Sequence, residues 1–222
     1  MKTIVVGCEY AGTTTLSEAI TGWATSTFGG EQGFHDHSKI PHISHEPLSE
    51  DDIRHFMALS PVLKEQFQRF QTEYHLQPDF YTEDDHNMVG FHIDEAVYAP
   101  LYYGYDEEGD RTKAARKVEA RILEMAPDTV LVLVKASPEV IAKRKKENPH
   151  PHDLVQENDI EQVLSRFQEE YDASLLRKRM IIDTSNATVE ESLAEFVENF
   201  KPMLTTTDRE RILLRRSEMD GA

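Results

Sequence analysis

Cysteine is almost absent: Cys8 is alone among 222 residues. A single thiol makes no internal disulfide, so the core must hold the fold, and this usage fits a reducing compartment such as the cytoplasm. Positive charge is scarce too. Lys and Arg number 24 against 41 Asp and Glu, a formal net charge of −17. That balance argues against nucleic acid and anionic membrane as partners, and it means that an anionic ligand must be drawn by a local positive site. No apolar run approaches bilayer-spanning length. The chain enters a strand at once, without a leader-like segment. Repeats and low-complexity linkers are missing as well. What remains is 39% hydrophobic and 29% charged, the composition of a soluble globular chain long enough for one domain with a full core.

Apolar patterning alternates between strand and helix. Short β-branched runs at 4–6, 89–93, 129–134 and 180–183 read as strands. Between them fall a helix from Thr13, two helices within 49–76, and helices over 112–125, from Ser137-Pro138-Glu139, over 159–177 and over 188–200. In the second of the two helices, opened by Ser60-Pro61, the residues Val62, Leu63, Phe67, Phe70 and Tyr74 form the stripe expected to be buried. Residues 31–48 read as irregular and 98–109 as a bend, and 202–222 as a short amphipathic stretch with a ragged end. Strands alternating with helices imply a parallel sheet covered on both faces.

Between the first strand and first helix, Gly7 and Gly12 stand at the spacing of a phosphate-binding loop, G-x-x-x-x-G-K-[ST]. Such a loop points backbone N–H groups at an anion, and the helix behind it adds its N-terminal partial charge. Gly7, Ala11, Gly12, Thr13, Thr14 and Thr15 are therefore candidate phosphate ligands, with Thr14 at the position whose hydroxyl holds Mg²⁺. Thr13 occupies the lysine position. Glu9, inside the loop, opposes an anion unless its carboxylate points away.

Four places together resemble the P-loop nucleoside and nucleoside-monophosphate kinases, the thymidylate-kinase and deoxynucleoside-kinase group, over residues 1–200. They are the loop 7–14; Ile93-Asp94-Glu95 with Val97-Tyr98; Val134 through Ser137-Pro138-Glu139-Val140-Ile141 to Lys143-Arg144; and Ile182-Asp183-Thr184-Ser185. The resemblance implies a three-layer α/β/α fold with a mostly parallel five-stranded sheet, a substrate-side insertion at 31–80, a lid at 143–158 and a helical tail at 201–222. It implies ATP and Mg²⁺ as cofactors, and phosphoryl transfer to a nucleoside, nucleotide or similar small acceptor.

On this reading Asp94 is the base or metal-water ligand, with Glu95 second. Arg144 is the first choice for neutralising charge in transfer, and Lys143 and Ser185 lie along the nucleotide. His37, Tyr98, Arg111 and Arg116 are candidate acceptor contacts. Two departures stand out: the loop lysine is missing, and the acid is followed by Glu95-Ala96 where the family has arginine. Lys39, Lys135 and the lid cluster 143–146 are the available replacements. The histidines at 35, 37, 42 and 45, with Asp36, are of metal-ligand type, though a metal-free surface loop suits them better. Sulfuryl transfer from a phosphosulfate donor and nucleotide binding without catalysis remain as alternatives. The helices at 49–76 and the tail are candidate surfaces for a homodimer.

Overall fold

Five strands form the sheet: β1 (Lys2–Val6), β2 (Gly33–His37), β3 (His86–Gly90), β4 (Val130–Lys135) and β5 (Lys178–Asp183). Their order is β2-β3-β1-β4-β5 and every neighbouring pair is parallel, so the sheet is wholly rather than mostly parallel. The computed structural model describes residues 1–30, 33–37, 48–78, 85–105, 110–150 and 152–220. Strands β1 and β4 are central, covered on both faces, and their Ile4, Val5, Val6 and Leu131 to Val134 are buried. Continuous apolar runs are what such strands require.

The helices are α1 (Thr13–Phe28), α2 (Glu50–Met57), α3 (Pro61–His75), α4 (His92–Tyr98), α5 (Asp110–Met125), α6 (Pro138–Glu147), α7 (Ile160–Asp172), α8 (Val189–Phe200) and α9 (Thr206–Asp220). Capping boxes start α2, through Ser49 and Asp52, and α8, through Thr188 and Glu191. Trp23 of α1 packs edge-on against Phe196 and Phe200 of α8. Among the described residues no helix is long and apolar enough to cross a membrane.

Five expectations are corrected. Part of the segment expected to be irregular is strand β2; its Gly-Phe-His-Asp-His lacks apolar alternation because it is the sheet edge, paired among the described residues only with β3. The strand expected over 89–93 stops at Gly90. Gly90 and Phe91 have φ of 78° and 75°, the left-handed region, and the chain turns into α4, so Asp94 and Glu95 stand in a first helical turn and not at a strand end. The expected bend after Tyr98 is in its described part a π-helical turn, Ala99–Tyr103. Helix α3 is rotated relative to expectation: Lys64, Gln68, Gln71, Thr72 and His75 face inward, and the five apolar residues face out. The tail is also more ordered than expected. Helix α9 packs on α1, and Arg211 reaches the Gly29 carbonyl at 3.3 Å and the Asp85 carboxylate at 2.6 Å.

Candidate active site

The loop 7–12 leaves the carboxyl end of β1, where ligands of open parallel sheets bind. At Gly7 a Cβ would stand 2.4 Å from the Val134 carbonyl oxygen, so a side chain does not fit. Tyr10 and Gly12 have φ of 65° and 93°, which curls the main chain. The Gly12 carbonyl accepts the Leu16 amide at 3.0 Å and begins α1, and no side chain caps the helix. With no acid in its first turn, α1 presents an N-terminus that favours an anion. Cys8 is buried.

The unusual loop residues are tied to the segment after α6. The Glu9 carboxylate accepts the Leu154 and Val155 amides at 2.9 and 2.8 Å, and Glu9 lines a cavity at the loop together with Gly7, Thr13 and Thr14. Tyr10 stacks on His150 at 4.3 Å, donates to Asp153 at 3.0 Å and accepts the His150 amide at 2.9 Å. Lys145 pairs with Asp153 and lies over the Tyr10 ring. Arg144 reaches underneath. Its guanidinium donates to the Tyr10 carbonyl at 3.0 Å, to the Thr184 hydroxyl at 3.1 Å and to the Thr184 carbonyl at 2.7 Å. Thr184 in turn donates to the Ala11 carbonyl at 2.7 Å. Arg144 and Thr184 thus hold loop carbonyls while lining the same cavity as Gly12 to Thr15.

Two cavities meet at Tyr10, Thr13, Thr14 and His150. The larger, about 620 Å³, runs over the α1 N-terminus toward Arg144, Asn148, Thr184 and Thr188. The smaller, about 440 Å³, runs toward Asp36, His37, Asp94 and Tyr98. The Thr14 hydroxyl lies 3.4 Å from Asp36. Asp94 packs over Gly90, where a Cβ would come within 2.9 Å of its carboxylate; the glycine gives the carboxylate its room.

No family model and no curated protein matches the sequence. Solved structures do. YorR from Bacillus subtilis, in complex with phosphorylated GDP, matches at TM-score 0.59 and 14% identity, over 92% of this chain and 99% of its own. Deoxyadenosine kinase from M. mycoides, with bound dATP, matches at 0.59 and 14%, over 90% and 100%. Thymidylate kinase from Ehrlichia chaffeensis matches at 0.56 and 13%, over 90% and 98%. The fold is that of the P-loop kinases.

Within this P-loop kinase fold the expected site residues separate. Gly7, Gly12, Thr13, Thr14, Thr15, Asp94, His37 and Arg144 line the two cavities. Ala11 is buried in the loop and offers its carbonyl to Thr184. Ser185 stands behind Thr184 and accepts the Ser137 amide at 2.8 Å. Lys143 is exposed, 3.9 Å from Glu147. Glu95 faces away, toward Arg111 at 3.0 Å, and Arg111 also holds Glu65 at 2.7 Å. Arg116 is bound to Glu119 at 3.1 Å and Glu170 at 3.3 Å. Tyr98 was expected to contact the acceptor, but its ring is 2% exposed and edge-on to Phe167, and its hydroxyl accepts the Glu9 amide at 3.1 Å. Burial holds that phenol protonated, far above its ordinary range.

Lys135 does not replace the loop lysine, since it donates to Gln168 at 3.0 Å. Lys39, His42 and His45 lie outside the described residues. No cluster of three or more His, Cys, Asp or Glu able to hold a metal occurs among the described residues. The oxygen set of Thr14, Asp36 and Asp94 nevertheless fits a hard divalent cation that keeps most of its waters. Two residues escaped the sequence reading. Asp36, weighed there only as a metal-type ligand, faces the smaller cavity because β2 is a strand. Thr184 was passed over for its neighbour Ser185.

Proposed function

We propose that this chain binds a nucleoside triphosphate, such as ATP, at the loop 7–15 and transfers the terminal phosphoryl group to a hydroxyl of a small acceptor. One observation carries the reading: a glycine-bounded loop at an uncapped helix N-terminus lies between two cavities, one of about 620 Å³ over the helix N-terminus, the other lined by carboxylates. In the larger cavity the nucleoside lies between α6 and the Thr184–Thr188 turn, with its phosphates on the amides of Gly12 to Thr15. In the smaller, Asp94 or Asp36 accepts the acceptor's proton. The acceptor oxygen forms the new bond to phosphorus, and the bond to the bridging oxygen breaks, releasing the diphosphate. Mg²⁺ bound through Thr14 and the two aspartates would neutralise phosphate charge. Glu9, Tyr10 and Lys145 hold the lid segment over the loop and exclude water.

An uncharged acceptor suits the smaller cavity better than a monophosphate. Its described lining is acidic, and the two arginines expected to meet an acceptor phosphate are engaged by Glu65, Glu95, Glu119 and Glu170. A second reading, nucleotide binding without turnover, draws on Thr13 and on Arg144, Lys135 and Lys145 all being committed to protein partners.

The decisive experiment is ADP release with ATP·Mg²⁺ across a panel of nucleosides, other hydroxyl compounds and monophosphates, beside thermal shifts with ATP and with phosphoadenosine phosphosulfate. Turnover with an uncharged acceptor, lost by at least about 100-fold in Asp94→Asn, is expected. A stabilising shift with ATP but no turnover on any acceptor would leave binding alone. No shift with ATP would end the proposal.

A further inference from the structure

Buried charge in this chain is matched almost everywhere. Among the described residues each buried carboxylate is bonded: Glu9 to two amides, Asp85 to Arg211, Glu119 to His92 and Arg116, Glu170 to Arg116, and Asp208 to the Thr205 amide. Lys64 is the exception. It is the one buried lysine or arginine among the described residues, 8% exposed, and among them its ammonium has no hydrogen bond and no ion pair. Lysine is almost never enclosed unless it is paired, and an ammonium withdrawn from water without a partner costs stability. The acids on this side are taken, Glu65 by Arg69 and Arg111, and Glu95 by Arg111. Helix α3 also places Lys64 toward the acceptor. At one end of the helix His75 lies 5.1 Å from His37; Gln68 borders Asp94; at the other end Pro61 meets Gly104, where a Cβ would stand 3.5 Å from the proline ring. Lys64 shares the inward face with Gln68 one turn away, so its Cα stands about 6 Å further along the axis.

Resting on the phosphoryl-transfer reading above, we propose that Lys64 selects the acceptor. Its ammonium binds a carbonyl oxygen at the end of the acceptor remote from the hydroxyl that Asp94 or Asp36 deprotonates. Lysine carries three donors and no acceptor. It accommodates a bare oxygen and rejects an amino group, whose hydrogens would face its own. An anion is the worse occupant, because it must enter past Asp36, Asp94 and Glu95; a neutral carbonyl dipole meets no such repulsion. The acceptor class is thus a hydroxyl compound with an oxo group at its far end, such as a nucleoside with an oxo base in preference to its amino counterpart.

Two measurements on the full chain test this. The first compares uridine with cytidine and inosine with adenosine, by calorimetry and by ADP release with ATP·Mg²⁺, with uridine monophosphate as a charged control. The wild type should favour the oxo member of each pair by at least about 10-fold, and Lys64→Met should bring the pairs within about threefold of each other. Lys64→Gln, which can both donate and accept, should fall between. The second is urea unfolding without ligand. Lys64→Met should raise the midpoint by about 0.5 M, since it removes an enclosed charge that nothing in the protein pairs. A lowered midpoint would mean that the protein itself holds the ammonium, and would overturn the proposal. So would equal treatment of the pairs by the wild type, a preference that survives Lys64→Met, or tighter binding of uridine monophosphate than of uridine. Turnover confined to hydroxyl compounds other than nucleosides would overturn this inference and leave phosphoryl transfer standing; no thermal shift with ATP would end both.

Discussion

Two glycines in the first helix-turn unit show how differently the same residue type is used. Gly7 has the Val134 carbonyl 2.4 Å from where a Cβ would sit, whereas Gly22, exposed on α1, has nothing within 4 Å. Gly7→Ala should therefore push β1 from β4 and cost about 2–4 kcal/mol in urea unfolding, and it should abolish any stabilisation by ATP. Gly22→Ala should stabilise by about 0.5–1 kcal/mol, because the helix no longer restrains a glycine. Equal effects at the two sites would contradict the loop geometry. Thr13 asks a different question. Thr13→Lys places an ammonium where the motif expects one; tighter ATP binding by calorimetry would mean that the loop retains the standard cradle. Weaker binding would mean that Arg144, anchored on the loop carbonyls, has reshaped the site around threonine.

At the level of elements, the loop and the segment after α6 behave as one unit. Glu9 is buried, and its carboxylate holds two backbone amides that have no other partner among the described contacts. Charge-assisted bonds of this kind are stronger than neutral ones, and leaving buried donors unmet is costly. Glu9→Ala should cost about 2–4 kcal/mol and speed amide exchange at Leu154 and Val155 while leaving β1 protected; unchanged exchange at 154 and 155 would contradict the tie. Helix α3 carries the opposite lesson. Its length and period were legible from Ser60-Pro61 onward, yet its orientation was not. Periodicity identifies an apolar face without saying what that face meets, and here the interior beside α3 is polar, built from His37, Asp94 and the Arg111 ion pairs.

For the whole molecule, buried histidines set the acid limit. Burial lowers His75 from 6.5 to about 4 and His86 to about 3. Both folded values lie below the unfolded one, so between them the unfolded chain binds more protons and stability falls as pH falls. Between pH 6.5 and 5 each histidine should remove about 2 kcal/mol, at 1.36 kcal/mol per pKa unit. Glu119 adds to this below its ordinary value of 4.5: its burial is outweighed by His92 and by the Leu175 and Ser174 bonds, so its contribution is present above that pH and lost below it. Urea midpoints measured from pH 7.5 to 4.5 should drop steadily below 6.5, and His75→Gln should flatten the curve. A midpoint flat to pH 5 would mean that these rings titrate normally.

Read alone, the chain settled the elements whose cause is local. The apolar runs of β1, β4 and β5, the helix starts at Ser49 and Ser137, and the glycine spacing of the loop all follow from short-range sterics and hydrogen bonding, and with them came the parallel α/β architecture. Tertiary contact decided the rest. β2 is a strand because β3 offers it an edge, and Asp94 is helical because Gly90 and Phe91 turn the chain beneath it. Glu9 is harmless to an anion because distant amides claim its carboxylate. Arg144 backs the loop because Thr184 arrives from β5. Each of these depends on partners far apart in the chain, and one-dimensional spacing carries no information about which partner a side chain will meet.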